Sequence, residues 1–226
     1  MAAPANSPLQ KRIQTVLDGR SMLGHPFYRA WTAGTLEVKD LREYVRQYYH
    51  FEVAFPRYLS ALHSRTESMR IRQLLLDNLW DEEHGDRNHP VLWLDFGEAV
   101  GLSRGDVERS EPNEQTRLLV DHVYRVCRDE PIANGLATLF AFEGQVPGIA
   151  WQTIKALTEH YGFTPQQFEF FSVHLVADIS HAGAEMDAIQ ESCTDEAGVV
   201  RATETTCDLL LAFLDGCSPR KVGANA

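Results

Sequence analysis

Residues 170–181 read FFSVHLVADISH, and in this run apolar residues recur at the spacing of an α-helix and do not alternate as in a half-buried strand. Its ionisable residues are His174, Asp178 and His181. At about 100° per residue, positions i, i+4 and i+7 fall within about 60° of arc, so the three side chains share one stripe of the helix. The flanking residues are apolar, and a buried charge is costly unless it is paired or bound to a metal. The run therefore predicts a helix that carries metal ligands, with an exposed polar stripe as the alternative.

Helical spacing of apolar residues continues through almost the whole chain, and no stretch predicts a strand. The predicted helices are 8–21, 36–65 with an interruption at Pro56, 68–84, 90–100, 113–128, 132–161, 165–192 and 196–214, and 27–32 is a further short segment. Short links that contain Gly or Pro join them, and none is long enough to divide the chain. The sequence thus predicts an all-α fold, a single domain of seven or eight helices over residues 1–226.

Composition and charge exclude several classes of partner. The chain is 44% hydrophobic and 23% charged, as in ordinary globular proteins. Its net charge of −11 opposes binding to nucleic-acid phosphates and to anionic membrane surfaces. No apolar run approaches the roughly 18 residues of a membrane span, and the N-terminus lacks the pattern of a secretory signal. We therefore expect a cytoplasmic protein with no nucleic-acid or membrane partner, and a homodimer as the commonest kind of assembly.

Motifs of several common enzyme classes are missing from the sequence. It has no phosphate-binding loop, no dinucleotide-binding glycine pattern and no G-x-S-x-G nucleophile elbow. The four cysteines form no C-x-x-C pair, so buried free thiols are expected. They are Cys127, Cys193, Cys207 and Cys217.

A second candidate ligand is Glu143, which lies in the apolar run LATLFAFEGQVP at 136–147. A lone carboxylate among apolar neighbours requires a cation or hydrogen-bond donors, or it takes up a proton. Pro147 cannot donate the helical hydrogen bond to the carbonyl of Glu143, which predicts a kink or an irregular turn beside this residue. A Glu on the outer face of the helix is the alternative.

A third segment, LWDEEHGDRNHP at 79–90, leaves two ligand pairs open. Asp81 and His84 form a D-x-x-H pair like Asp178 and His181, as in ferritin-like bundles. Glu82 and His89, seven residues apart, are the other choice. Helical geometry does not decide between them because Gly85 is expected near the end of the helix; a solvated acidic helix end is a further alternative.

The three segments together supply about three carboxylates and three imidazoles. Structural zinc sites close with four ligands, often thiolates, and magnesium favours oxygen, whereas this mixture suits two iron or manganese ions. The set therefore predicts dioxygen activation at a dinuclear centre. The N-terminal quarter also clusters aromatic residues, which either pack in the core or place an oxidisable phenol near the metals. Its tyrosines are Tyr28, Tyr44, Tyr48 and Tyr49.

Several stretches in order, from about Leu9 to Leu214, resemble the heme-oxygenase-like diiron oxidases, in particular a chlamydial branch, and more distantly the pyrroloquinoline-quinone synthases. They are HPFY at 25–28, YY at 48–49, AFPRYLSA at 54–61, LLLDNL at 74–79, DEE at 81–83 with NH at 88–89, E-x-Q-x-P at 143–147, LTE-x-x-GF at 157–163 and H-x-x-x-D-x-x-H at 174–181. The resemblance implies a heme-oxygenase-like bundle without heme, two Fe ions or a Mn/Fe pair, and dioxygen with a reductant as co-substrates. The metal ligands that it implies are Glu82, His89, Glu143, His174, Asp178 and His181.

The resemblance also implies a reaction, the formation of para-aminobenzoate for folate synthesis from the enzyme's own tyrosine. The sacrificed residue matches Tyr28, and a second implicated tyrosine matches Tyr44. Thr153 occupies the position of the family's donor lysine, and Lys155 lies about 200° further around the helix. The nitrogen source therefore stays open. The alternatives are an oxidase of an external small amine or amino acid, a non-enzymatic interaction module, and a hydrolase with a Cys nucleophile.

Overall fold

The computed structural model describes residues 7–217, apart from the side chains of residues 176–182. This part of the chain contains helices and no strands, which confirms the all-α prediction. The α-helices are α1 Pro8–Gly19, α2 Pro26–Thr32, α3 Val38–Glu52, α4 Phe55–Arg65, α5 Met69–Glu83, α6 His89–Ala99, α7 Arg104–Glu108, α8 Glu114–Asp129, α9 Ile132–Glu143, α10 Val146–Glu159, α11 Glu169–Ser192 and α12 Glu196–Cys217. Short 3₁₀ turns occupy Met22–Gly24 and Pro165–Phe168.

Two predicted segments are each divided into two helices. Segment 36–65 breaks between α3 and α4, and Pro56 lies in the first turn of α4. Segment 132–161 breaks after Glu143, and Pro147 lies in the first turn of α10. Proline fits the first turn of a helix because its missing N–H has no helical partner there. The irregular turn predicted beside Glu143 is confirmed.

The sequence analysis missed α7, a helix of about one turn whose N-terminus is stabilised by a capping box between Ser103 and Asp106.

The centre of the bundle is α9, which is apolar and almost entirely buried on every side. Helices α8, α11 and α12 pack around it, and α3 packs against α6, α8 and α12. A helix that is apolar all round belongs in a core, and nearly all the buried apolar side chains of the described residues form one contiguous cluster. The C-terminal end of α9 therefore delivers Glu143 to the interior.

Within residues 7–217, no helix combines the length and the apolar character that crossing a bilayer requires.

Four buried tyrosines predict a loss of stability in alkali. Burial raises the pKa of the phenols of Tyr28, Tyr44, Tyr48 and Tyr58 above the ordinary value. Above a pH of about 10 the unfolded chain releases these protons while the folded chain keeps them, so stability falls by about 1.4 kcal/mol per pH unit for each phenol. The free energy of unfolding can be measured with urea at several pH values in this range. In Tyr58→Phe it should fall less steeply with pH, by the contribution of about one phenol. An unchanged slope in that variant would contradict the prediction; the buried thiols titrate equally in both chains and cancel.

Candidate metal centre

Four buried side chains from four helices converge in the interior. Glu52, Glu82, His89 and His174 each offer one possible ligand atom, and these atoms all lie within 4.8 Å of one another. The four residues come from α3, α5, α6 and α11, and at most 6% of any of them is exposed. We call these four residues the inner cluster. Three of them, all except Glu52, belong to the predicted ligand set.

The turn between α5 and α6 brings two members of the inner cluster together. After α5 ends, Gly85 adopts a φ of +80°, and the Asn88 side chain caps α6 by accepting a hydrogen bond from the N–H of Val91 at 3.2 Å. A left-handed backbone suits glycine because it has no Cβ. Glu82 Oε2 then lies 2.9 Å from Nδ1 of His89. Residues seven apart in sequence thus become direct neighbours.

The rival pair from the same segment stays outside. Asp81 and His84 are both exposed. The His84 ring stacks on Trp80, with a centroid distance of 3.6 Å. The structure therefore resolves the alternative that the sequence left open: it places Glu82 and His89, and not Asp81 and His84, in the interior.

His174 is held in an orientation that suits metal binding. Its Nδ1 lies 2.7 Å from the backbone carbonyl oxygen of Phe170. Because a carbonyl oxygen only accepts, Nδ1 carries the proton and the lone pair of a neutral ring is on Nε2. The ring centroid is 4.3 Å from that of His89. A backbone carbonyl that accepts from one ring nitrogen and so leaves the lone pair on the other is typical of metal-ligating histidines.

Glu143 is not a member of the inner cluster, and Asn78 connects it to the helix that carries Glu82. Its Oε1 accepts a hydrogen bond from Nδ2 of Asn78 at 2.9 Å. Asn78 precedes Glu82 by one turn of α5, so the two side chains share a helix face. The other oxygen of Glu143, Oε2, is buried with no hydrogen-bond donor among the described residues. Such an oxygen is available to a cation.

Two predicted ligands cannot be placed, and one new candidate was missed. Asp178 and His181 lie outside the described side chains, so their ligand role stays a prediction. Glu52 lies between Phe51 and Val53. The signal that singled out Glu143, a lone carboxylate among apolar neighbours, was also present at Glu52.

The ligand atoms that the site offers suit iron and manganese, the metals that the sequence predicted. Carboxylate oxygens and neutral imidazole nitrogens bind iron and manganese, and the buried oxygen of Glu143 adds a further donor beside them. None of the four cysteines belongs to the inner cluster, so a thiolate site is not indicated among the described residues. The residues present therefore fit a non-heme iron or manganese centre.

Aromatic rings connect the inner cluster with two buried tyrosines. The hydroxyls of Tyr28 and Tyr44 are hydrogen-bonded at 2.9 Å. Tyr44 stacks on Tyr48 at a centroid distance of 5.6 Å, and Tyr48 lies 6.0 Å from Phe170, which neighbours His174 at 4.2 Å. Burial, and next the negative charge of Glu52, raises the pKa of the Tyr48 phenol well above its ordinary value.

A small, partly enclosed cavity lies between Tyr28 and His174. It measures about 20 Å³, which is room for about one water molecule. Its lining is mainly aromatic and aliphatic: Tyr28, Tyr44, Tyr48, Phe142, Val146, Ile149, Ala150, Phe170, Phe171 and His174. No cysteine lines it, so nothing here supports a thiol nucleophile.

Asn78→Ala should weaken metal binding without touching a predicted ligand. The substitution removes the donor that orients Glu143, and loss of such an outer partner typically costs about 10- to 100-fold in metal affinity. Competition with a chromophoric chelator for Mn(II) measures this change. Asn134→Ala is a control, because the Asn134 amide donates to Glu130 and not to Glu143. Equal Mn(II) affinities for Asn78→Ala and the wild type would refute the orienting role of Asn78.

Comparison with known proteins also indicates redox chemistry with iron. A protein-family model described as an iron-containing redox enzyme matches residues 42–210. A relative from Nitrosomonas europaea is 42% identical over 226 aligned residues, covering 94% of this chain and 92% of its own length, and is called 4-aminobenzoate synthase. A relative of the same name from Chlamydia muridarum is 38% identical, covering 90% of this chain and 87% of its own length.

Solved structures share the fold at low sequence identity. A TenA homologue from Pseudomonas syringae superimposes with a TM-score of 0.83 at 15% identity, covering 97% of this chain and all 100% of that chain. A domain with a heme oxygenase-like fold from Shewanella denitrificans gives a TM-score of 0.79 at 18% identity, covering 99% of this chain and 100% of its own.

Proposed function

This chain belongs to the iron-containing redox enzyme family with the heme-oxygenase-like fold, and on this premise we propose that it forms 4-aminobenzoate from the side chain of its own Tyr28. The relatives called 4-aminobenzoate synthase support the product. The internal source of the ring is supported by the geometry around Tyr28.

The observation that carries the proposal is the small cavity between Tyr28 and His174. Tyr28 is only 1% exposed, and the cavity has room for about one water molecule. A diatomic molecule or ammonia fits such a space, whereas a free aromatic amino acid does not. This supports the proposal that the oxidised ring is one that the chain already holds.

The side chain of tyrosine contains the carbon skeleton of the product. 4-Aminobenzoate has a carboxylate carbon and a nitrogen at opposite positions of a benzene ring. From tyrosine, the Cα–Cβ bond breaks and Cα keeps a hydrogen in place of the side chain. Dioxygen oxidises Cβ to the carboxylate, and ammonia replaces the phenol oxygen, which leaves as water. A pair of iron ions, or manganese with iron, would supply the activation of dioxygen, with an external reductant. The six predicted ligands would hold it: Glu82, His89, Glu143, His174, Asp178 and His181.

Neighbouring residues orient the Tyr28 ring and hold its proton. Trp31 stacks on the ring with an interplanar angle of 6°, and the Tyr44 hydroxyl holds the phenol oxygen. Burial raises the pKa of both phenols, so both are protonated at neutral pH. Tyr44 thus positions the end of the ring at which nitrogen replaces oxygen.

The nitrogen is proposed to come from a small external amine such as ammonia. Lys11, Lys39 and Lys155 are exposed and none of them lines the cavity, and Lys221 lies outside the described residues. Thr153 stands where the resemblance places a donor lysine; it is fully buried, and its hydroxyl has no hydrogen-bond partner among the described residues. A threonine hydroxyl binds an amine but does not donate nitrogen.

Isotope labelling tests the ring source and the nitrogen source separately. Protein grown on ring-labelled tyrosine is loaded with Fe(II), or with Mn(II) and Fe(II), without oxygen and then exposed to dioxygen, a reductant and labelled ammonium. We expect at most one labelled-ring product per chain, nitrogen from the ammonium, and loss of the Tyr28 side chain in the mass spectrum. Many turnovers with an unlabelled ring and intact Tyr28 would instead identify an oxidase of an external substrate. Nitrogen from lysine-labelled chains would overturn the external amine.

A further inference from the structure

Glu52 is the member of the inner cluster that neither the sequence analysis nor the resemblance assigned. It is the last residue of α3 and only 2% exposed. One of its carboxylate oxygens lies within 4.8 Å of ligand atoms of Glu82, His89 and His174. We propose that Glu52 is a direct metal ligand, a fourth carboxylate in addition to the six predicted ligands. This inference rests on the proposed metal centre.

Helix α3 directs Glu52 into the site. Tyr44 and Tyr48 precede Glu52 by eight and four residues and line the cavity beside His174. Residues four apart share a helix face, so the buried face of α3 runs from the two tyrosines to Glu52. The helix ends immediately afterwards, and the next one begins at Phe55 with Pro56 in its first turn. The carboxylate is thus placed by a rigid element and not by an adaptable loop.

Charge balance favours a fourth carboxylate. Two divalent ions bring four positive charges into the core of the bundle. The carboxylates of Glu82, Glu143 and Asp178 would neutralise three of them. Glu52 supplies the fourth, and a neutral buried site avoids the cost of an uncompensated charge in a medium of low dielectric.

A ligand role for Glu52 predicts a result that a purely structural role for Glu52 does not predict. Without a cation, two neighbouring carboxylates both ionise only at an electrostatic cost. Removing the charge of Glu52 should therefore leave the metal-free protein at least as stable as before. The same change should weaken the stabilisation that metal provides, because a ligand that binds only the folded state stabilises it in proportion to its affinity.

The test compares Glu52→Gln with Glu185→Gln. Glu185 is a fully buried carboxylate on α11 that is not a member of the inner cluster, so its substitution is chemically matched. Metal-free proteins are titrated with Mn(II) without oxygen, and binding is followed by metal analysis and by electron paramagnetic resonance. We expect Glu52→Gln to bind Mn(II) with an affinity lower by about 10-fold or more. Its metal-induced rise in Tm should be smaller, and its metal-free Tm should be no lower than that of the wild type. Glu185→Gln should bind Mn(II) as the wild type does.

Two results would overturn the assignment in distinguishable ways. Wild-type protein that binds Mn(II) while Glu52→Gln binds it equally well refutes the ligand role and leaves the proposed function intact. Wild-type protein that binds neither Mn(II) nor Fe(II) removes the proposed function together with the ligand role. If the variant fails to fold, anomalous scattering from crystals of the Mn(II)-loaded wild type decides. A Glu52 oxygen at about 2.0–2.5 Å from a metal supports the proposal, and a longer distance refutes it.

Discussion

Replacing His174 by alanine should reduce the affinity for Fe(II) or Mn(II) by about 100-fold or more, beyond the 10- to 100-fold typical of outer partners. The His174 ring is buried, and its Nδ1 is held by the carbonyl of Phe170, so its Nε2 is presented to the inner cluster without further reorganisation. The substitution by alanine removes this ligand atom, so the site loses one of its neutral imidazole ligands. Metal content after anaerobic loading and desalting measures the effect.

The controls for this substitution separate ligand loss from unfolding. His122 is half-buried on α8, where its Nε2 lies 3.2 Å from Oγ1 of Thr206, and it is not in the inner cluster. His122→Ala should keep full metal content. Imidazole added to His174→Ala should restore part of the affinity, because the substitution leaves a void of the same shape as the lost ring. A His174→Ala protein that still holds two metals per chain would remove His174 from the ligand set.

Tyr28→Phe should abolish formation of 4-aminobenzoate while leaving metal binding unchanged. The substitution removes the phenol oxygen that nitrogen replaces, and it keeps the ring, the cavity lining and every member of the inner cluster. The free energy of unfolding should fall by about 1 kcal/mol, because the buried Tyr44 hydroxyl loses its partner at 2.9 Å. Product quantified per chain after one exposure to dioxygen, together with metal analysis, measures both parts.

Tyr58→Phe is the matched control for the tyrosine prediction. Tyr58 is equally buried, and its hydroxyl donates to the carbonyl of Val120 at 3.3 Å, away from the cavity. This variant should lose comparable stability and still form product. Wild-type amounts of product from Tyr28→Phe would refute the internal ring source and favour an external substrate.

The recurrence of apolar residues predicted the all-α fold, because the period of a helix is a local property of the sequence. Spacing alone predicted the segments that became α1, α5 and α8, and the two prolines at 56 and 147 predicted where longer segments divide. The apolar run around Glu143 likewise predicted an interior carboxylate, and Glu143 is 2% exposed. Each of these inferences depends on residues within a few turns of one another.

The choice among ligands was different because it depends on which helix face meets which neighbour. Asp81, Glu82 and His84 lie within four residues of one another in the sequence. The packing of α5 on α4, α6 and α11 turns Glu82 inward and leaves the other two exposed. Glu52 carries the same local signal as Glu143, yet its nearness to His174 spans α3 and α11, far apart in the chain.

The sequence by itself therefore determined that the chain is helical, where its helices begin and break, and that acidic and imidazole groups lie in apolar surroundings. Only the tertiary structure decided which of these groups share a space of 4.8 Å, that Glu52 is among them, and that Tyr28 adjoins a cavity for about one small molecule. The reason is physical: hydrogen bonding and period act along the chain, whereas convergence of side chains depends on the close packing of helices that are distant in sequence.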